Sequence, residues 1–266
     1  MEINALFGVK NQVVLITGGS RGIGKMMAEG FVRNGAKVYI SARSDKVCQE
    51  TAAELSAMGP GKCIPLPQDV STIEGCQLLA NALQERESKL HVLINNSGVA
   101  WGGGFDTHNA KAWSKVMDLN VTAPFFLTKF MLPLLQTHAR VIMIGSIAGL
   151  QPQDLGTLAY DTSKAAIHHM TRALAVQLAP KQITVNCIAP GLVPTKMSKQ
   201  IATATGKEFQ EIADVAIPLG RPGSPTDMAG PALFLASPAA GWITGTVLAV
   251  DGGQVFATPT GDNSKL

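Results

Sequence analysis

The chain has 266 residues, of which 46% are hydrophobic and 15% are charged. This is enough to bury one large core and less than two full domains usually need. Its 22 basic and 19 acidic residues leave a net charge of +3, which is too small and too scattered to predict binding to nucleic acid or to an anionic membrane.

Cysteine usage and hydropathy indicate a cellular compartment. The four cysteines form no CxxC pair and no cluster with histidine, so we expect reduced thiols in the core rather than a metal site. The first residues, MEINALFGVKNQ, lack a basic region followed by an apolar core, and no apolar run is long enough to span a bilayer. The sequence therefore predicts a soluble cytoplasmic protein without a metal ion or a membrane partner.

Short β-branched runs alternate with longer helical patterns. In chain order, these patterns predict strand 13–17, helix 22–35, strand 36–42, helix 45–57, strand 63–70, helix from 71, strand 90–96, helix 109–137, strand 140–146, helix 158–179, strand 183–190, helix 225–237 and strand 245–253. Strands this apolar, in alternation with helices, are typical of a parallel sheet covered on both faces. The predicted fold is α/β, a single doubly wound (Rossmann) domain over 1–266 with a seven-stranded parallel sheet and helices on both faces.

Three local patterns refine this prediction. Ser71 and Glu74 have the spacing of a capping box at the start of the helix that follows the third strand. The irregular stretch 192–222 contains three prolines and predicts an inserted lid over a substrate site. The C-terminal tail after Gly253 has no clear pattern.

The glycine-rich segment TGGSRGIG, residues 17–24, joins the first predicted strand to the first helix. Its glycines permit a tight turn and a close approach of the backbone to a ligand, and the free N–H groups of the helix favour a diphosphate. The spacing G-x-x-x-G-x-G differs from the commoner G-x-G-x-x-G, and a plain strand–helix connection is the alternative. The position at the first β–α junction favours a dinucleotide site. The expected cofactor contacts in this loop are Gly18, Ser20, Arg21, Gly22, Ile23 and Gly24.

Charged residues near the loop predict which dinucleotide binds. NAD-binding proteins usually place an acidic residue near the end of the second strand, to hold the ribose 2′-hydroxyl. Here that strand ends in SARSD with Arg43 at its tip, and Arg43 and Arg21 together would attract a 2′-phosphate. Either arginine alone is better explained as a solvated surface residue, and Asp45 opposes the prediction unless it pairs with a basic neighbour. The predicted cofactor is NADPH/NADP+.

Seven short motifs occur in the order found in the short-chain dehydrogenase/reductase family, which the chain resembles up to about residue 253. They are the glycine loop, NNSG at 95–98, LNVT at 119–122, GS at 145–146, Tyr160-xxx-Lys164, PG at 190–191 and VDGG at 250–253. No single one of these motifs is specific to the family, but the occurrence of all seven in the same order is. The resemblance implies an NADP(H)-dependent oxidoreductase acting on CH–OH/C=O groups, with Asn120, Ser146, Tyr160 and Lys164 as a catalytic tetrad.

The chemistry of Tyr160 and Lys164 supports this assignment. Positions 160 and 164 lie one turn apart on one face of the predicted helix. Lowering the pKa of a phenol from ~10 to near 7 requires roughly 4 kcal/mol, and a lysine cation at ~4 Å supplies a similar amount at a moderate effective dielectric. The oxidised nicotinamide would add its positive charge. We therefore predict that Lys164 makes Tyr160 a proton donor near neutral pH, with an exposed tyrosine and a solvated lysine as the alternative.

Ser146 and Asn120 complete the implied tetrad. Ser146 ends the fifth predicted strand, at the edge where α/β sheets bind ligands, and would orient a substrate carbonyl; taken alone, a turn serine is the better explanation. Asn120 lies inside a helical pattern, and Pro124 lacks the N–H that would bond its carbonyl. We predict a kink that frees the Asn120 carbonyl, which in the family holds a water leading to the catalytic lysine.

Other positions take their expected roles from the resemblance alone. Asn95 would steady the central sheet, and Gly98 would allow close approach of the cofactor. Ser97 departs from the family, where alanine is more frequent. The remaining implied cofactor contacts are Asp69 and Val70 at the adenine ring, Asn96, Ser97, Pro190 and Gly191, with Val193 and Thr195 beside the nicotinamide carboxamide.

Within the family, SGVAWGGGFDT, WSKVMDLNVT and the spacing from Ser146 to Tyr160 resemble the 3-oxoacyl reductases of the rhamnolipid-biosynthesis type. Reductases of carrier-bound acyl groups grip the acidic carrier protein with basic residues at two helix ends. Lys181 fills one of these places, whereas Arg140 does not match the register of the other. A 3-oxoacyl thioester, a β-ketoester and a small ketone all stay open as substrates. The predicted lid carries apolar residues consistent with an apolar substrate, namely Met197, Ile201, Phe209 and Ile212.

Other classes of function are less consistent with the sequence. A serine hydrolase would need G-x-S-x-G, and Ser146 in GSIAG fails this pattern. A non-catalytic dinucleotide-binding sensor shares the fold but has no need of the whole tetrad. A reductase or dehydrogenase of small or bulky non-acyl ketones and alcohols stays open. The family implies a homotetramer, and the apolar stretch 123–135 would serve its interface, although core packing explains much of it.

Overall fold

The computed structural model describes residues 1–152, 155–199, 203 and 206–257 of the chain. Within them, seven parallel strands form one sheet, which confirms the predicted Rossmann-like α/β fold. The strands are β1 Val13–Thr17, β2 Lys37–Ser41, β3 Lys62–Pro65, β4 Leu90–Asn95, β5 Leu135–Ile144, β6 Thr184–Pro190 and β7 Val247–Val250. Their order in the sheet is β3-β2-β1-β4-β5-β6-β7.

Helices cover both faces of this sheet. They are α1 Ile3–Phe7, α2 Gly22–Arg33, α3 Asp45–Ser56, α4 Ile73–Gln84, α5 Ala110–Met117, α6 Ala123–Met131, α7 Leu158–Leu178, α8 Phe209–Ala216 and α9 Pro225–Ala236. Residues of α2, α3 and α9 bury Val14 and Ile16, whereas residues of α4, α6 and α7 bury Leu15 on the opposite face. Successive side chains of a strand point to opposite faces, so β1 is an unbroken apolar run because both faces are covered.

The order of the strands places a crevice at one edge of the sheet. Val14 of β1 is aligned with Val38 of β2 on one side and with Val92 of β4 on the other. The strand order reverses between β1 and β4, and open α/β sheets bind ligands at the carboxyl ends of such strands. Thr17 and Asn95, the last residues of β1 and β4, therefore lie at the expected ligand crevice.

The predicted helix 109–137 is interrupted and shorter than its pattern indicates. A turn of π-helix over Asp118–Thr122 separates α5 from α6, and α6 ends at Met131. Pro133 has no N–H with which to continue the helical hydrogen bonds beyond this point. The chain returns to the sheet at once, and β5 begins at Leu135, earlier than predicted.

The predicted capping box at Ser71 is wrong. The residue that precedes α4 is Thr72, whose Oγ1 accepts a hydrogen bond from the Gly75 N–H at 3.0 Å. Ser71 belongs instead to a turn, because its N–H donates to Asp69 Oδ1 at 2.9 Å. The third strand also ends before the predicted residue 70, and Pro67 in this stretch has no N–H for a ladder hydrogen bond.

The predicted lid, 192–222, lies partly among the described residues. Its helix α8 was not predicted, and Phe209 of α8 packs against a small cluster that includes Leu192 and Ile217. Ile201 lies outside the described residues. That the segment closes over a substrate stays a prediction.

The start of the predicted tail is attached to the core. Gln254 begins a single helical turn, and its Oε1 accepts a hydrogen bond from the Leu192 N–H at 2.9 Å. This contact ties the end of the described chain to the segment that follows β6. Residues 258–266 lie outside the described part of the chain.

Two properties of the described residues bear on binding partners. None of their helices combines the length and the apolar character needed to cross a bilayer. Within the same residues, no group of three or more His, Cys, Asp or Glu side chains is placed to hold a metal ion.

Candidate active site

Thr17 joins the ends of β1 and β4 beneath the glycine loop. Its Oγ1 accepts hydrogen bonds from the Asn96 and Ser97 N–H groups, each at 3.0 Å. The Asn96 side chain returns the contact, since its Nδ2 donates to the Thr17 carbonyl at 2.8 Å and to that of Gly18 at 3.3 Å. These bonds hold the loop against the end of β4. The sequence reasoning did not single out Thr17, although a hydroxyl at the end of a buried strand is a usable signal.

The glycines of the loop are required by its geometry. Gly18 and Gly22 have φ angles of 64° and 53°, in the left-handed region that favours glycine. A Cβ on Gly24 would overlap the Gly18 carbonyl oxygen and lie 2.5 Å from Asn96 Nδ2. Arg21 precedes α2 and makes no side-chain cap, so the first N–H groups of the helix are available to a ligand. This bare cradle at a helix N-terminus fits the diphosphate of a dinucleotide.

We expect Gly24→Ala to weaken dinucleotide binding by about tenfold or more, because backbone of the loop must move to admit the methyl group. The measurement is the Kd for NADPH from its fluorescence. The matched control is Gly230→Ala, also inside a helix, where an added Cβ meets nothing within 4 Å. Equal affinities for both variants and the wild type would contradict the cradle assignment.

The two arginines of the cofactor prediction are exposed. Neither Arg21 nor Arg43 forms an ion pair with any residue that the structure describes. The competing acid, Asp45, is not paired with a basic neighbour: both of its carboxylate oxygens accept from Gln49 Nε2, at 2.9 and 3.0 Å. The helix α3 begins directly after its N-cap residue, Ser44. Asp45 therefore lies in the first turn of α3, where the helix dipole favours an acidic side chain. Its carboxylate therefore has a structural role.

Asp69 and Val70, the residues predicted to contact the adenine ring, follow β3 in the chain. Asp69 is exposed, and its Oδ1 accepts the hydrogen bond from Ser71 described above, while Val70 is buried at 5% exposure. The Ser41 hydroxyl donates to the Gln68 carbonyl at 3.3 Å, which ties this loop to the end of β2. Contact of Asp69 and Val70 with an adenine ring stays a prediction.

Asn120 lies in the π-helical turn, so the α-helical pattern is interrupted at the predicted position, and a free Asn120 carbonyl stays a prediction. The turn contains a hydrogen bond from the Ala123 N–H to the Asp118 carbonyl, one residue longer than an α-helical bond. The Asn120 side chain is buried and fully used: Oδ1 accepts from the Val99 N–H, and Nδ2 donates to the Val99 carbonyl and to Ser163 Oγ, each at 2.9 Å. Asn120 thereby joins the segment after β4 to α7.

Lys164 is almost completely buried within α7. Only 5% of it is exposed, and its Nζ donates to the Ile144 carbonyl at 2.8 Å and lies 5.4 Å from the centre of the Tyr160 ring. Burial lowers the pKa of Lys164 from 10.5 to about 8. Ser163 connects the group, since its Oγ donates to the Tyr160 carbonyl at 2.7 Å and accepts from Asn120. Sequence reasoning missed Ser163, which lies next to Lys164 in the printed chain.

The prediction that Lys164 brings the pKa of Tyr160 to near 7 is wrong for the protein chain by itself. Burial raises the pKa of Tyr160 above 10.0, a hydrogen bond with the Ser146 side chain opposes this rise, and the charge of Asp161 adds to it. The Lys164 Nζ lies 5.4 Å from the centre of the Tyr160 ring and donates to the Ile144 carbonyl rather than to the phenol. The hydrogen bond with Ser146 therefore favours the tyrosinate by lowering the pKa of Tyr160.

Ser146 and Gly98 shape the space around these groups. Ser146 begins a short helical turn after β5, and its Oγ accepts from the Ala148 N–H at 3.2 Å. A Cβ on Gly98 would lie 3.3 Å from Asn120 Oδ1 and 3.7 Å from Lys164 Nζ, so a larger residue would crowd the tetrad. The structure thus brings together the four residues implied by the resemblance, at the carboxyl edge of the sheet.

The segment after β6 extends this site towards the glycine loop. Pro190 ends β6 opposite Val250, and the Gly191 N–H donates to the Val250 carbonyl at 3.1 Å. Ser198, which sequence reasoning missed, folds the segment into a turn, because its Oγ donates to the Val193 carbonyl at 2.6 Å and accepts from the Thr195 N–H at 2.8 Å. This turn faces the glycine loop.

Thr195 itself lies against the glycine loop. A Cβ on Gly22 would lie 3.4 Å from the Thr195 methyl group. On the other side of the loop, Ser97 Oγ would lie 3.2 Å from a Cβ on Gly18. The predicted diphosphate cradle, the segment after β6 and the residues after β4 therefore border one groove.

Asn95 stabilises the floor of this groove. Its Nδ2 donates to Thr128 Oγ1 at 3.1 Å and lies 3.4 Å from Met143 Sδ. Thr128 in turn donates to the Pro124 carbonyl at 2.7 Å. Asn95 thus links β4 to both α6 and β5, consistent with the role that the resemblance implies for it.

The fold and the site define a dinucleotide-binding oxidoreductase. The chain belongs to the short-chain dehydrogenase/reductase family, and residues 18–254 match the family model described as enoyl-(acyl carrier protein) reductase. It is 42% identical over 253 residues to the rhamnolipids biosynthesis 3-oxoacyl-[acyl-carrier-protein] reductase of Pseudomonas aeruginosa, covering 93% of this chain and 97% of that one.

Solved structures show the same similarity. The RhlG/NADP active-site complex of Pseudomonas aeruginosa has a TM-score of 0.88 and 40% identity, with 96% of this chain and 100% of that one covered. L-sorbose reductase of Gluconobacter frateurii, complexed with NADPH and L-sorbose, has a TM-score of 0.87 and 29% identity, with 95% and 99% covered. Relatives with this fold therefore act on chemically different substrates.

Proposed function

We propose that the protein is an NADPH-dependent carbonyl reductase that transfers hydride to a 3-oxoacyl or β-ketoester-like substrate, with Tyr160 as the proton donor. The observation that carries the proposal is the group formed by the partly exposed Tyr160 and Ser146 with the buried Lys164 and Asn120, at the carboxyl edge of the sheet beside a glycine cradle. The names of the Pseudomonas aeruginosa relatives, a 3-oxoacyl reductase and an NADP complex, support the choice of substrate and cofactor.

The residues of the glycine loop would hold the diphosphate of NADPH, with Arg21 and Arg43 near its 2′-phosphate. When bound, NADPH supplies the hydride. The Ser146 hydroxyl orients the substrate carbonyl, and its hydrogen bond with Tyr160 stabilises the tyrosinate that forms when the phenol gives up its proton. Lys164, when protonated, contributes a cation beside the Tyr160 ring, where water is excluded and the charge acts more strongly.

The proton lost by Tyr160 is replaced through the π-helical turn at Asn120. The side-chain amide of Asn120 is bonded to Val99 and Ser163, and the main-chain carbonyl of Asn120 is a further acceptor in this turn. Pro124 cannot donate to that carbonyl in the α-helical pattern. We propose that this carbonyl accepts a hydrogen bond from a water that leads from Lys164 to solvent.

The cofactor preference has a direct test. We expect Arg43→Ala to raise the KM for NADPH by about tenfold or more while the KM for NADH changes little, because a charge-assisted hydrogen bond to phosphate is lost. The control is Arg33→Ala, an exposed arginine at the end of α2 that pairs with Glu29 at 2.7 Å. An unchanged ratio of kcat/KM for NADPH over NADH in Arg43→Ala would contradict the proposed 2′-phosphate contact.

The proposed substrate is apolar, and the position of Arg140 bears on whether it is bound to a carrier protein. Arg140 is buried in β5, so it is not available to grip an acidic carrier protein, as the sequence register suggested. Lys181 is exposed after the end of α7, and Met197, within the predicted lid, is 40% exposed. With one of the two basic positions missing, we propose a free 3-oxoacyl thioester or ester rather than a carrier-bound one.

The test of the proposed function is NADPH oxidation with a panel of ketones. The panel contains a 3-oxoacyl-coenzyme A, the same acyl group on acyl carrier protein, a β-ketoester and a non-acyl sugar ketone. We expect the highest kcat/KM with the coenzyme A thioester or the β-ketoester. No turnover with any ketone, despite NADPH binding, would favour the alternative of a non-catalytic dinucleotide sensor.

We also propose a homotetramer that uses α6 and α7. Phe125 of α6 is 40% exposed and Val176 of α7 is 73% exposed, so each helix leaves an apolar side chain in solvent. Burial of such residues between copies is favourable by about 25 cal/mol per Å² of apolar area. Light scattering coupled to size exclusion would measure the assembly, and a monomer would contradict this proposal.

A further inference from the structure

A second cavity lies at the edge of the sheet opposite the active site. Its volume is about 930 Å³, which is in the range of small-molecule sites. It is lined by residues where the strands begin, including Gln12 before β1, Leu90 of β4 and Thr184 of β6. β6 runs the length of the sheet between this edge and the active-site edge, so the cavity and the active-site groove are separate.

The cavity is lined by a buried arginine without an acidic partner. Arg140 is 8% exposed, and it forms no ion pair with any described residue. One terminal nitrogen donates to the His138 carbonyl at 3.0 Å, but the buried Nε has no partner. Buried charges are normally paired, because an unpaired one costs several kcal/mol. An anion bound at the Arg140 guanidinium would therefore compensate a buried charge.

Several other polar groups of the cavity favour the same ligand, whereas Gln12 Oε1 is a buried acceptor without a partner. Lys89, His91 and His138 also line it, and its lining includes no aspartate or glutamate. His91 Nδ1 accepts from the Val13 N–H at 2.9 Å, so a neutral His91 carries its proton on Nε2 and is a donor there. Thr184 Oγ1 is buried without a partner and can donate as well. Cations and hydrogen-bond donors thus converge on a space that contains no acid.

We propose that this cavity binds a small anion with two or more negative charges, carried by carboxylate or phosphate groups, at Arg140. The guanidinium supplies two parallel N–H groups for an oxyanion, and Lys89 supplies a second positive charge at the mouth. Occupancy would compensate the buried charge and would stabilise the amino-terminal ends of β4, β5 and β6. The site does not depend on the reductase activity.

Trp242 provides a local signal for the test, because it lines the cavity and is fully exposed. Replacing the other tryptophans in Trp101→Phe/Trp113→Phe leaves Trp242 as the only emitter. Pyrophosphate and citrate are each titrated while its fluorescence is recorded, with sodium chloride of matched ionic strength as the salt control. We expect saturable changes with at least one of the two anions, and the comparison shows whether phosphate or carboxylate is preferred.

Two charge variants and one control complete the experiment. Arg140→Met keeps the side-chain stem and is expected to weaken binding by about tenfold or more, and the exposed Lys89→Gln, which does not endanger folding, by a smaller factor. Lys46→Gln, on the exposed surface of α3, is expected to leave the titration unchanged. A response that chloride reproduces, or full affinity in both Arg140→Met and Lys89→Gln, would overturn the proposal.

Discussion

Tyr160→Phe is expected to lower kcat for ketone reduction by about 10²–10⁴-fold, the usual contribution of a positioned proton donor. The phenylalanine keeps the ring beside Lys164 and removes only the hydroxyl that interacts with Ser146. The Kd for NADPH should change little, since no other part of the cradle is altered. Steady-state kinetics and NADPH fluorescence measure the two quantities separately.

The second tyrosine of the chain is a matched control. Tyr39 lies in β2, is 2% exposed, and donates from its hydroxyl to Glu87 Oε1 at 2.7 Å. Tyr39→Phe is expected to cost about 1–3 kcal/mol of folding free energy, because the buried partner Glu87 loses a hydrogen bond. Its kcat should stay close to that of the wild type. A Tyr160→Phe enzyme that retains full kcat would refute the proposed proton donor.

Lys164→Met is expected to lower kcat/KM by about 10²-fold or more and to remove an alkaline limb from the pH profile. The pKa of Lys164 is about 8, so in the wild type the cation is present below this pH and is lost as the pH rises through it. Reduction by the wild type should therefore decline near pH 8, and the methionine variant should show no decline there. The pH dependence of kcat/KM tests this directly.

The stability of Lys164→Met distinguishes lost chemistry from lost folding. The pKa of Lys164 is lower in the folded protein than its ordinary 10.5, so below about pH 8 the charged lysine favours the unfolded state. Removing the buried cation should leave the free energy of unfolding at pH 7 unchanged or higher. Lys46→Met, on the exposed surface of α3, is the control for both measurements. An active Lys164→Met enzyme would contradict the role of the cation.

Local patterns in the sequence are sufficient for most of the architecture. β1 and α7 have the boundaries that their patterns predict to within one residue. The order of apolar and polar residues in each segment shows which of its positions are buried, without information from the rest of the chain. Pro124 likewise predicts the break at Asn120, since a missing N–H is a property of one residue. The boundaries of β3 and β5 were less predictable, because pairing with a neighbouring strand decides where a strand ends.

By itself, the sequence predicted which residues would carry the chemistry: the glycines of the loop from their position at the first β–α junction, and the four residues of the tetrad from seven family motifs in order. Only the tertiary structure decided the pKa values of these side chains and the hydrogen bonds that hold them in place. Burial, which depends on every packed neighbour, lowers the pKa of Lys164 and raises that of Tyr160. The contacts of Thr17 and Ser163 join segments far apart in the chain, and no local pattern records such distances.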